Sequence, residues 1–265
     1  MELLKYTVKR LLRNPYVLFW AIGFMIFWEV IGAYIQSKGV PAQYSQYYIA
    51  SWYAIIALLA SSAVAVSSTF MLNYQTGGLS HLFRFSRLSP LYYLLSIYSG
   101  ITIVIMIVSG IMLATTYLLF GSKFGYDIAL PRNIIAFAPV FILTGLFYTA
   151  LSIDLNILSL KTTRKIGNVI SFLPLIISYL FGFSYLYTNL GNIGLGSPFV
   201  NIAMLSYYAY MNQDPPLYLI GNVNSSISPV LPLIVLISWI GLLSVLALMF
   251  IRNLYLKPLE EGRSI

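Results

Sequence analysis

Six long apolar runs constrain the fold of this chain more than any other feature of its sequence. They cover residues 16–35, 49–72, 91–119, 134–158, 169–188 and 230–254. Each reaches or approaches the roughly 20 residues that an α-helix needs to cross the core of a bilayer. Within lipid, an uninterrupted helix pairs all of its own backbone groups. The sequence therefore predicts an all-α polytopic membrane protein with six transmembrane helices.

The scarcity of charge supports this interpretation. Charged residues make up 8% of the 265 residues, whereas soluble domains carry about 25%, and the mean hydropathy is +0.84. We expect residues 1–265 to form one transmembrane domain without a separate soluble catalytic domain. The formal net charge of +8 indicates the membrane rather than nucleic acid as the partner, because the basic residues flank the apolar runs.

The distribution of Lys and Arg predicts the orientation. Three of these residues lie at one set of span ends, namely Lys38, Lys123 and Arg132. Twelve lie at the other set, namely Lys5, Lys9, Arg10, Arg13, Arg84, Arg87, Lys161, Arg164, Lys165, Arg252, Lys257 and Arg263. Because cytoplasmic loops carry the excess of basic residues, we expect a protein of the cytoplasmic membrane of the cell with both termini, including the tail 255–265, inside.

Two further cytoplasmic segments have amphipathic patterns. Residues 1–15 place leucines and a valine on one helical face and basic residues on the other. Pro15 ends this helix, and region 16–72, which contains spans 1 and 2, follows it. We predict an interfacial elbow helix here. In residues 73–90, one face carries Leu79, Leu82, Phe83 and Phe85, and the other carries Ser80, His81, Arg84 and Arg87.

Region 91–188 contains spans 3–5, and the loop 189–229 connects it to the sixth span. We expect this loop on the extracellular side of the membrane. Its pieces at about 197–211 and 216–221 are apolar but too short to span, which predicts a re-entrant outer segment. Asn224 begins an N-glycosylation sequence that a glycosylating host could modify.

The sequence argues against several kinds of chemistry. It contains no phosphate-binding loop for ATP, and one histidine without any cysteine cannot form a multi-histidine or thiolate metal site. We therefore predict neither catalytic residues nor a metal site, and a chain that is not itself an enzyme.

Two acids fall within the apolar runs. At 1.5 Å per residue, Glu29 is roughly 20 Å from the cytoplasmic end of its span, but Asp154 is only about 6 Å from its own. We expect Asp154 to be a structural acid that pairs with Lys161, Arg164 or Lys165 at the interface. Glu29 has no basic partner within a span, so it is protonated, hydrogen-bonded to hydroxyls, or lines a pathway as a candidate transport residue.

Four of these features together resemble the type-2 permeases of ATP-binding-cassette (ABC) transporters. They are the basic start that ends KRLLRNPYVLFW, the six spans with both ends inside, the segment GGLSHLFRFSRLSPLYYLL, and the half-apolar loop before the sixth span. The family segment typically reads Gly-Thr-Leu-Glu followed after several residues by Thr-Pro. Gly78-Leu79 and Ser89-Pro90 fit this pattern loosely, and Ser80 stands where the family usually has Glu.

The resemblance implies that this chain pairs with a second permease chain, as a homodimer or heterodimer, and with separate ABC ATPase subunits. ATP and magnesium would bind the ATPase, with no cofactor on this chain. It also implies an exporter, and the Tyr, Phe, Ser and Thr content favours an amphipathic, lipid-like or peptide substrate. The residues that we expect to couple to the ATPase are Leu79, His81, Leu82, Arg84 and Arg87. Two other functions remain open: an ion-coupled secondary transporter that uses Glu29, and a membrane-bound scaffold or assembly factor.

Overall fold

The computed structural model describes residues 2–85, 89–220 and 225–250, and only the backbone at 76–85, 90 and 164. The described residues form helices and no strand. In chain order the helices are α1 (Glu2–Leu12), α2 (Val17–Gln36), α3 (Ser45–Phe85), α4 (Pro90–Phe124), α5 (Tyr126–Ala129), α6 (Phe137–Leu160), α7 (Arg164–Tyr187), α8 (Gly191–Gly196), α9 (Pro198–Met211) and α10 (Val230–Phe250).

The prediction of six spanning helices is confirmed by length and composition, since α2, α3, α4, α6, α7 and α10 each contain a stretch able to cross a membrane. The chain is thus a multi-pass, membrane-embedded protein. Its first span is unusual, because α2 is α-helical only over Phe24–Val30 and π-helical on both sides, at Val17–Gly23 and Ile31–Gln36. Residues 251–254 of the sixth predicted span lie outside the described residues.

Helix α3 lies at the centre of the bundle. In its most apolar stretch 94% of the residues are buried, whereas the corresponding share in the other spans is 17–44%. It packs against α4, α6, α7 and α9. Its middle is rich in Ala and Ser, and small side chains let helix backbones approach closely in a membrane. The hydroxyls of Ser61 and Ser68 donate back to carbonyls one turn earlier, at 2.7 and 2.9 Å, so they are satisfied within the helix.

Helix α3 is much longer than the predicted span 49–72. Its 41 residues correspond to about 60 Å of helix, and the backbone continues through Gly77 and Gly78 to Phe85. The segment 79–85 is therefore the end of α3 and not a separate short helix as its sequence pattern suggested. The chain then returns at Ser89, whose side chain accepts a hydrogen bond from the Tyr92 amide at 3.2 Å, and Pro90 begins α4.

Helix α1 has the two faces that its sequence predicts. Leu11 and Thr7 are buried, whereas Lys5 and Lys9 are exposed. It packs against α4, where Gly100 leaves room for Thr7: a Cβ at Gly100 would lie 2.8 Å from the Thr7 Cγ2. The helix ends at Leu12, before Pro15. We call the end of the bundle that carries α1 and the α3–α4 connection the basic end, and the opposite one the distal end.

A buried polar cluster joins three helices towards the basic end. Asn73 of α3 accepts hydrogen bonds at its Oδ1 from Asn156 Nδ2 and, at 2.8 Å, from Ser159 Oγ, both on α6. Its Nδ2 donates to Ser171 Oγ of α7 at 3.4 Å. Because these amides and hydroxyls satisfy one another, the cluster fixes α3 against α6 and α7.

Helices α8 and α9 are joined by hydrogen bonds to α10 and to the residues before α6. The carbonyl of Gly196, between them, accepts a hydrogen bond from the Trp239 indole at 2.9 Å. Trp239 lies nine residues into α10, or about 14 Å from its distal start. At the other end of α9, the Tyr210 carbonyl accepts from the Arg132 amide at 2.9 Å, next to the α5–α6 connection. The sequence piece at about 197–211 is therefore a helix, whereas 216–220 is not.

Candidate functional site

Glu29 lies in α2, about 10 Å from its distal end. Its side chain is fully buried. Thr116 of α4 donates its hydroxyl proton to Glu29 Oε1 at 2.7 Å, which is the hydroxyl partner that one of the three alternatives from the sequence requires. The other carboxyl oxygen, Oε2, has no hydrogen-bond partner within the described part of the chain.

Two tyrosines lie in the neighbourhood of Glu29, but neither is hydrogen-bonded to it within the described part of the chain. Tyr53 of α3 and Tyr210 of α9 both lie within electrostatic range of its carboxyl, and their ring centroids are 5.5 Å apart. The Tyr210 hydroxyl donates to the Ala129 carbonyl, but the buried Tyr53 hydroxyl has no partner among the described residues. Unsatisfied buried polar atoms cost free energy and are rare in native proteins. We therefore retain Glu29 as a functional candidate, at a place where α2 packs against α3 and α4.

Neither Lys161 nor Lys165 forms the predicted ion pair with Asp154 in the described part of the chain, and the side chain of the third predicted partner, Arg164, lies outside the described residues. The ammonium of Lys161 lies 5.0 Å from the ring centroid of Phe250, and Asp154 Oδ2 is buried without a partner among the described side chains. Lys161 is seven residues further along the chain, which places it about 10 Å away along α6. Asp154 lies instead within electrostatic range of Tyr98, whose hydroxyl donates to Ser244 Oγ of α10 at 3.2 Å.

The predicted coupling residues are placed only in part. The backbones of Leu79, His81, Leu82 and Arg84 lie in the last two turns of α3. Arg87 falls outside the described residues. The structure thus positions this segment at the basic end, as a continuation of the most buried helix of the bundle.

A cavity at the distal end was not predicted from the sequence. This distal cavity has a volume of about 710 Å³ and lies between the α2–α3 connection, the start of α3, α9 and the segment after α9. Four tyrosines line it, Tyr44, Tyr47, Tyr48 and Tyr207, together with the carboxylate of Asp214. The run YSQYY at 44–48 is a signal that could have revealed half of the site, but Tyr207 and Asp214 are more than 150 residues away in the sequence.

A second, more polar cleft lies nearby, with a volume of about 570 Å³. Its lining contains both an acid, Asp127, and a base, Arg132. Arg132 donates to the Gln46 side chain at 2.7 Å.

Comparison of the chain with protein-family models gives no match, and comparison with curated protein sequences gives none either.

Proposed function

We propose that this chain is the membrane-spanning permease subunit of an ABC exporter. It would move an amphipathic, lipid-like or peptide substrate across the cytoplasmic membrane, and a separate partner ATPase would hydrolyse the ATP. The partners in this proposal are ABC ATPase subunits and a second permease chain, with the basic end and both termini in the cytoplasm.

The length and burial of α3 are the observation that best supports this proposal. A helix of about 60 Å is twice as long as the roughly 30 Å hydrocarbon core. Residues 76–85 continue α3 for about 15 Å beyond its apolar stretch. Because the same helix forms the centre of the bundle, a force on its projecting end would be transmitted directly to the helices around it.

The base of this projection is connected to α4. The Tyr93 hydroxyl of α4 donates to Gln75 Oε1 of α3 at 3.0 Å. Asn73, which forms the polar cluster with α6 and α7, lies two residues before Gln75 in α3. A docked ATPase that moves the α3–α4 connection would therefore displace α3, α4 and α6 together. Arg84 and Arg87 suit acidic groups on that partner, because a guanidinium binds a carboxylate through two parallel hydrogen bonds.

The positions of α1, α8 and α9 support the same proposal. α1 would lie at the cytoplasmic interface as an elbow helix, with Lys5 and Lys9 towards anionic lipid headgroups. α8 and α9 would form a re-entrant pair on the outer side, since α9 has 14 residues, too few to cross the bilayer.

Co-purification tests the proposal. A tagged chain is solubilised from its native membranes in mild detergent, and bound proteins are identified by mass spectrometry. We expect an ATPase with a phosphate-binding loop, and Arg84→Ala combined with Arg87→Ala should reduce its recovery severalfold. Lys38→Ala combined with Lys123→Ala is the matched control, since it removes the same charge at the distal end. Absence of any such ATPase would refute the exporter proposal. Equal recovery with both double variants would refute the role of the segment.

An ion-coupled transporter is the second candidate. It is favoured by the buried Glu29 carboxyl, one oxygen of which has no hydrogen-bond partner among the described residues. The two functions separate in proteoliposomes that contain the chain alone. Uptake driven by an ion gradient without ATPase, and lost in Glu29→Gln, would support the carrier and contradict the exporter.

A further inference from the structure

The distal cavity carries an inference that does not depend on any ATPase partner. We propose that it is a binding site for an organic cation with an apolar body, such as an amphiphile with a quaternary ammonium or amine group.

The charge of the lining favours a cation. Asp214 is the one charged side chain among the described residues that line the cavity, and it forms no ion pair within the described part of the chain. Lys38 precedes the lining residue Gly39 but does not itself line the cavity. An anionic ligand would thus meet a carboxylate and no base, whereas the neighbouring cleft offers Arg132 beside Asp127.

The tyrosine rings favour an organic cation rather than a metal ion. A cation is attracted to the face of an aromatic ring, and cages of aromatic residues are typical sites for quaternary ammonium groups. A hard metal ion would need several oxygen ligands, and the described lining offers one carboxylate, that of the exposed Asp214, beside four tyrosines. Val40, Pro41, Leu219 and Ile220 supply apolar surface for the body of the ligand.

The site is largely preformed. Tyr48 is held by its hydroxyl, which donates to the Gly32 carbonyl at 2.9 Å, and its ring packs at 6.1 Å from that of Phe120. Tyr207 is only 4% exposed yet lines the cavity, and its hydroxyl has no hydrogen-bond partner among the described residues. The volume of about 710 Å³ falls in the range of roughly 300–1,000 Å³ that is usual for small-molecule sites.

Two probes of the same shape and opposite charge test the inference. Radiolabelled tetraphenylphosphonium and tetraphenylborate share a tetrahedral arrangement of four phenyl rings, but the first is a cation and the second an anion. Binding to the purified chain in detergent is measured by equilibrium dialysis against protein-free micelles. We expect saturable binding of the cation at one site per chain and no saturable binding of the anion.

Variants locate the binding. Asp214→Asn should weaken cation binding about tenfold, and Tyr47→Leu about fivefold, whereas Tyr207→Phe keeps the ring and should bind nearly as the parent does. Asp127→Asn is the matched control, because it removes an exposed distal carboxylate outside the cavity. Each variant must elute from size exclusion as the parent does. Equal saturable binding of the two probes, no binding of the cation, or cation binding unchanged by Asp214→Asn and Tyr47→Leu would each overturn the proposal.

Discussion

The contact between α4 and α6 is so close that a substitution of Gly145 should lower the stability of the protein. Gly145 of α6 faces Thr102 of α4. A Cβ added at Gly145 would lie 2.7 Å from the Thr102 Cγ2 and 2.9 Å from its Cα. Carbon atoms in favourable contact are about 3.5–4.0 Å apart. The side chain of Thr102 can rotate, but its Cα cannot, so Gly145→Ala forces the two helices apart by about 0.6–1 Å.

Overpacking of this kind costs about 1–3 kcal/mol. The same substitution also stabilises the helix by up to about 1 kcal/mol, because alanine has a higher helix propensity than glycine. Gly110→Ala in α4 is the matched control, since nothing lies within 4 Å of its added Cβ and the helix gain is the same. We therefore expect Gly145→Ala to be about 1–3 kcal/mol less stable than Gly110→Ala. At about 2–4 °C per kcal/mol, the apparent melting temperatures should differ by several degrees.

Thermal unfolding of the purified variants in detergent, followed by tryptophan fluorescence, measures this difference. Adding Thr102→Ala to Gly145→Ala should restore only part of the stability, because it removes Cγ2 but leaves Cα in place. Equal melting temperatures for Gly145→Ala and Gly110→Ala would show that the two helices do not approach as closely as described.

Three further predictions concern function, the first helix and topology. Glu29→Gln should alter transport with little effect on stability, whereas unchanged transport combined with a stabilising Glu29→Leu would make the residue a tolerated buried acid. Gly100→Val should separate α1 from α4, because even its Cβ would contact Thr7; faster trypsin cleavage within α1, compared with the parent, measures this. The chain has no cysteine, so Ser264→Cys and Asn189→Cys each introduce a unique thiol. In intact cells an impermeant maleimide should label only Asn189→Cys, and labelling of Ser264→Cys would refute a cytoplasmic C-terminus.

The apolar runs made the spanning helices predictable, because a membrane imposes a minimum length on each of them. The end of α3 was not predictable in the same way. Hydropathy indicates which residues fit the hydrocarbon core of the membrane, but it does not show whether the helix continues beyond that core into water. Gly77 and Gly78 each disfavour a helix by about 1 kcal/mol relative to alanine, yet α3 continues through both.

The contacts between helices could not be read from the sequence. A helix that is apolar on all sides has no polar face to show which side points inwards, so neither the Thr116 partner of Glu29 nor the Tyr207 wall of the distal cavity was foreseeable. Asp154 shows the limit of proximity along the chain. Its position suggested Lys161, Arg164 or Lys165 as a partner, but two helical turns separate it from Lys161, and the side chain of Arg164 lies outside the described residues. Helix α1 was predictable because its faces do differ.

The burial of α3 has a consequence for the biogenesis of the protein. Of the helices that pack against it, α2 precedes it, whereas α4, α6, α7 and α9 follow it along the chain, so α3 leaves the ribosome before most of its partners. Until α9 is complete at Met211, the part of α3 around Tyr53, whose ring packs against that of Tyr210, remains partly open to lipid or to the insertion machinery. The final third of the nascent chain therefore completes the enclosure of the centre of the bundle. A product truncated before Met211 would expose this incomplete centre to the quality-control proteases of the membrane.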